Sequence, residues 1–136
     1  MRDHRRISPR IGVEAMCWEM IGDREQSALT VDLSTEGLRI ERPFFGGRIE
    51  AAVGLQLEVP GIDEVMWARG DVIFDRLVPA KNAATGGPFG LIRRTGYHIA
   101  LAAARDIRLI RDFVYDHYRV QNDQFDLSMA SCYRHG

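Results

Sequence analysis

The chain has 136 residues, 46% of them hydrophobic and 27% charged, which suits one compact domain whose core needs neither disulfides nor a metal to hold it. Its 18 basic and 19 acidic residues leave a net charge of −1, which argues against a general nucleic-acid binder. No apolar run is long enough for a membrane-spanning helix, and no apolar segment follows the basic start MRDHRRISPR, so neither membrane insertion nor a secretory signal is expected.

Residues 1–10 read as a polar arm in which Arg2, Arg5, Arg6 and Arg10 face a single acid, Asp3. Ile11 to Met20 reads as a strand with Ile11, Val13, Ala15 and Cys17 on one face. Gly22 to Gln26 is a polar turn, and Ala28 to Leu33 is a second strand with Leu29, Val31 and Leu33 on one side and Asp32 on the other. Ser34 to Gly37 turns the chain, Leu38 to Glu41 resumes alternation, and Pro43 stops it. Leu55, Leu57 and Val59 alternate with polar residues up to Pro60-Gly61, and Val65 to Asp75 is a longer strand candidate. Residues 79–96 read as a long loop holding Arg93 and Arg94 as solvated residues, and Tyr97 to Leu101 is the last strand. Ile107, Ile110, Phe113, Val114 and Tyr118 then fall on one stripe of a helix over 105–119, and residues 120–136 read as a loose tail. Six short strands and one helix suit a small antiparallel barrel or sandwich.

Two short motifs carry chemistry. The first is Arg6-Ile-Ser-Pro-Arg10, an RxxxR with Arg5 directly before it. The second is Asp32-Leu-Ser-Thr-Glu-Gly37, a DxSxxG between two strands. Alone, the first is what a solvated arm carries and the second what a hairpin turn carries. In this order they resemble the PilZ domain, a family of small bacterial β-barrels of which many bind cyclic di-GMP. Gly54 to Gly61, Trp67 to Phe74 and Asp106 to Tyr115 sit where that family has its middle strands and closing helix. The resemblance spans roughly residues 5–119.

The resemblance implies an all-β-dominated fold, a six-stranded antiparallel β-barrel with a C-terminal α-helix. The chain then divides into an arm at 1–10, the barrel and its helix at 11–119, and a tail at 120–136. It also implies a cyclic di-GMP site in which Arg5, Arg6 and Arg10 clamp the dinucleotide against Asp32, Ser34 and Gly37. An arginine just before RxxxR accompanies an intercalated ligand dimer in the family, which implies two nucleotides per domain. The residue chemistry agrees with such a ligand. Guanidinium grips phosphate and the O6/N7 edge of guanine and stacks over purines, and a carboxylate accepts from guanine N–H groups. The signal would pass to a downstream protein in the cytoplasm, in motility or biofilm regulation. Two departures stand out: the family's last strand carries a glycine and, three residues on, a phenylalanine, where this chain has Ala100 and Ala103. They imply altered barrel packing or a narrower ligand shelf.

Other chemistries find little support. Cys17 and Cys132 lie in no CxxC arrangement and read as free thiols, and the four histidines show no metal spacing, so neither metal nor cofactor is expected. Ser8, Ser34 and Cys17 come with no recognisable base, so no enzyme is expected. Two alternatives remain beside the receptor: a PilZ-like adaptor that binds no nucleotide, and a single-stranded nucleic-acid binder. The intact motifs argue against the first and the balanced charge against the second.

Overall fold

The computed structural model describes residues 9–48 and 50–135, with side chains up to Gln121. Its strands are Arg10–Ile21 (β1), Arg24–Ser34 (β2), Gly37–Pro43 (β3), Ala52–Leu57 (β4), Met66–Pro79 (β5) and Leu91–Ala102 (β6), followed by a helix at Ala104–His135 (α1). All pairings are antiparallel, and the order β1-β2-β3-β6-β5-β4 closes into a barrel. Closure pairs every strand on both sides, although the far half of β5 extends past β4 and pairs only with β6. The six-stranded barrel with its C-terminal helix is the expected architecture. Among the described residues no helix is long and apolar enough to cross a membrane.

The β1–β2 turn is tighter than the sequence suggests. Ile21 pairs with Arg24, so only Gly22 and Asp23 connect the strands. Gly22 has φ +63° while Asp23 has negative φ, as in a hairpin turn that needs glycine at its first central position. The buried interior is built by alternation: Ile11 and Cys17 on β1, Leu38 and Ile40 on β3, Leu55 and Leu57 on β4, and Tyr97 on β6. Helix α1 adds Ile110, Phe113 and Val114 to this core and packs on β1 and β2. Burying each such side chain contributes about 1.5–3 kcal/mol.

Three further sequence expectations are corrected. On β2, Leu33 is buried, but Leu29 is exposed and Val31 half-buried, while Ala28 and Thr30 lie inside. The cause is a bulge: Thr30 pairs with Ile40 and Asp32 with Arg39, so Val31 is extra and the inward face switches across it.

The expected 79–96 loop shrinks to residues 80–90, because β5 runs on to Pro79 and β6 begins at Leu91. Adjacent Arg93 and Arg94 hide this strand from any alternation rule. They are tolerated because Arg93 pairs with Asp75 on β5 at 3.1 Å and Arg94 with Glu41 on β3 at 2.6 Å, which makes them strand residues rather than solvated loop residues.

Lastly, the helix does not end near Arg119. Residues 120–135 contain neither proline nor glycine, and extending an existing helix is far cheaper than nucleating one, so the expected tail continues α1 to His135.

Candidate ligand site

The start of β1, the end of β2 and the start of β3 meet at one end of the barrel. There Arg10 pairs with Ser34 and Gly12 with Asp32 across the β1–β2 ladder, and Asp32 pairs with Arg39 across the β2–β3 ladder. The Val31 bulge is what brings Asp32 and Ser34 to this rim while Leu33 stays in the core. Bulges beside functional sites commonly re-aim side chains in this way.

Asp32 is 4% exposed and carries a guanidinium on each oxygen. Arg10 Nη1 donates to Oδ1 at 2.9 Å, and an Arg39 Nη2 group pairs with Oδ2. A buried carboxylate needs such partners, since burying its oxygens without hydrogen bonds would cost free energy. The two arginine side chains keep 52% and 39% of their surface, so each retains donors for a ligand. The buried Nε of Arg39 has no partner among the described residues.

Ser34 holds the turn. Its Oγ accepts from the Glu36 and Gly37 N–H groups at 3.2 and 3.1 Å and donates to the Gly37 carbonyl at 3.2 Å. Gly37 meets a steric demand and has no positive φ: a Cβ there would run into the Tyr97 carbonyl oxygen of β6. Beside this turn lies a cavity of about 190 Å³ lined by Arg10, Ser34, Gly37, Ile73, Tyr97 and His98, among others. It is smaller than the usual ligand pocket of about 300–1,000 Å³, so a dinucleotide-sized molecule would not fit inside it whole.

The structure thus brings together Arg10, Asp32, Ser34 and Gly37. Arg5 and Arg6 lie outside the described residues. Ala100 is exposed and Ala103 likewise, and neither lines this cavity, so the missing glycine and phenylalanine do not narrow it. Arg39 was absent from the sequence-based set. Its signal was present nonetheless: a two-residue turn at Thr35-Glu36 sets Leu33 opposite Leu38 and therefore Asp32 opposite Arg39.

Beneath the rim runs a buried polar network. The Tyr97 hydroxyl donates to Glu19 Oε2 at 2.5 Å, and Arg42 Nε lies 2.8 Å from Glu19 Oε1 without the alignment of a hydrogen bond. Arg42 Nη1 donates to Thr95 Oγ1 at 3.3 Å, and Thr95 donates to Asp75 at 2.9 Å. Burial pushes the Glu19 carboxyl above the usual glutamate range, opposed by Arg42 and Tyr97. Burial likewise raises the Tyr97 hydroxyl, and it pushes the Cys17 thiol up to about 12, too high for a reactive thiolate.

No protein-family model matches the chain, and no curated protein sequence does. Solved structures do. The inhibitor of motility MotI/DgrA of Bacillus subtilis is similar with a TM-score of 0.65 and 14% identity, over 86% of this chain and 53% of that one. The chain therefore spans about half the length of MotI/DgrA. The PilZ domain of YcgR from Escherichia coli, solved with cyclic di-GMP, is similar with a TM-score of 0.64 and 13% identity, over 90% of this chain and 98% of that domain. The barrel and its helix are a PilZ fold.

Proposed function

We propose that the chain is a cyclic di-GMP receptor of the PilZ type that relays the signal to a partner protein. The observation that carries this reading is the Arg10–Asp32–Arg39 cluster beside the Ser34–Gly37 turn, on a fold shared with a PilZ domain solved with cyclic di-GMP. Arg10 and Arg39 offer forked donors to phosphates and guanine edges. Asp32 acts by orienting both guanidiniums and by accepting from guanine with its remaining lone pairs, since each carboxylate oxygen has more than one. Ser34 and Gly37 fix the turn on which the ligand rests. Arg5 and Arg6 close over the ligand from the arm, and Arg5 favours an intercalated pair of nucleotides.

A binding role fits better than catalysis. The Ser34 hydroxyl is engaged by its own turn, and the Cys17 thiol is buried. Neither is an activated nucleophile. The setting we propose is the bacterial cytoplasm, with motility or biofilm formation as the regulated process.

Calorimetric titration with cyclic di-GMP, beside Arg10→Ala and Asp32→Ala, tests the reading. Saturable binding that each substitution weakens at least about tenfold is expected, and its stoichiometry distinguishes one nucleotide from two. No heat and no thermal shift would overturn the receptor and leave a nucleotide-independent adaptor.

A further inference from the structure

The barrel has a second mouth at the end opposite the Arg10–Asp32 site. The β1–β2 turn, the connection after β3 and the start of β6 meet there around a cavity of about 490 Å³. This is within the usual range of about 300–1,000 Å³ for small-ligand pockets. Its lining holds four arginines, Arg24, Arg42, Arg48 and Arg93, against one carboxylate, Glu50.

The four arginines fall into two tiers. Arg42 and Arg93 are fixed in place, their side chains only 3% and 13% exposed. Arg42 is held by Glu19 and Thr95, and Arg93 by Asp75, while the Arg93 guanidinium lies 5.2 Å from the centre of the Phe44 ring. Arg24 and Arg48 are exposed, and no carboxylate among the described residues pairs with either. The carboxylates that hold the inner pair, Glu19 and Asp75, do not line the cavity. Arg42 and Arg93 are thus largely neutralised from behind, and the net positive charge at the mouth comes from Arg24 and Arg48 set against Glu50. Phe45, 69% exposed, lines the same cavity and offers a flat apolar surface.

We propose that this mouth is a second binding site, for a nucleoside phosphate. Arg24 and Arg48 grip the phosphates from the rim, Arg93 offers its remaining N–H groups at the floor over the fixed Arg42, and the base stacks on Phe45. Forked guanidiniums suit phosphate oxygens, and an exposed aromatic ring suits any nucleobase. The site shares no lining residue with the cyclic di-GMP site and does not rest on that reading.

Titrating the isotope-labelled full chain with ADP and with inorganic pyrophosphate, read by backbone amide shifts, tests the assignment. ADP is expected to shift residues 24–26, 44–48 and 93 saturably and to leave residues 34–38 in place. It should bind at least about tenfold tighter than pyrophosphate, because only ADP stacks. The doubly substituted Arg24→Ala, Arg48→Ala chain should bind ADP at least about tenfold more weakly, and Arg10→Ala should bind it unchanged. Both rim arginines are exposed, so unchanged amide positions elsewhere in the spectrum will show that the double variant folds. The proposal is overturned if millimolar ADP shifts nothing or shifts only residues 34–38. It is also overturned if pyrophosphate binds as well as ADP, or if the double variant binds ADP undiminished.

Discussion

Asp32 and Glu19 are both buried carboxylates, yet their burial has different consequences. Asp32 sits at the rim with two partly exposed arginines, so removing Arg39 weakens both ligand binding and the fold, though Arg10 still pairs with the carboxylate. Hydrogen bonds to charged partners contribute about 1.5–3 kcal/mol, so Arg39→Ala should weaken cyclic di-GMP at least about tenfold and also lower the melting temperature, because a buried Asp32 oxygen loses its partner. Calorimetry and a thermal melt on one preparation check both halves. Glu19, in contrast, is wholly inside and bonded to Tyr97. Tyr97→Phe removes that donor and leaves a buried acceptor unsatisfied, which should cost about 1–3 kcal/mol in urea unfolding. The same burial sets a pH dependence. A carboxyl whose folded pKa is raised binds its proton more tightly in the native state than in the unfolded chain, so its contribution to stability is lost as pH rises from the ordinary glutamate range through the folded value. Urea midpoints of the native chain relative to Glu19→Gln should therefore fall with rising pH across that window. A flat or rising difference would show that Arg42 outweighs burial.

The turn and the strands around it act as one element. Gly37 lies directly against the Tyr97 carbonyl, so Gly37→Ala must push β3 from β6 at the place where the ligand cavity forms. The expected result is a loss of both stability and cyclic di-GMP binding, whereas alanine at exposed Glu25, at the far end of β2, should change neither; thermal melts and titration of the two variants separate these outcomes. Much of this end of the barrel is legible in the sequence, because simple alternation and a two-residue turn determine which residues of β2 and β3 face each other. Alternation also places Arg42 on the face of Leu38 and Ile40, and Glu19 on the face of Cys17, so even the buried ion pair was written in period two. The Val31 bulge was not legible, since an extra residue leaves no mark in a sequence of apolar and polar positions. Nor was the long β5–β6 hairpin. Its arginines are neutralised by Asp75 and Glu41 on neighbouring strands, and that information is long-range.

At the scale of the molecule, the closed barrel and the packed start of α1 give one cooperative unit, and the proposed ligand binds at a seam shared by three of its strands. A ligand that binds the folded chain and not the unfolded one stabilises it by mass action, by about 2.7 kcal/mol at a hundred times its Kd. For a domain of this size each kcal/mol raises the melting temperature by about 2–8 °C, so saturating cyclic di-GMP should raise Tm by several degrees or more. Because a ligand in the proposed site would tie β1 to β2 and β3, the gain should appear as a shift of the whole transition rather than as a second, later one. Arg10→Ala, which leaves Arg39 on Asp32, should melt somewhat below the native chain without ligand and gain little with it. A ligand-induced shift as large in Arg10→Ala as in the native chain would place cyclic di-GMP elsewhere on the barrel, and the arginine-lined mouth at the opposite end would be the first place to look.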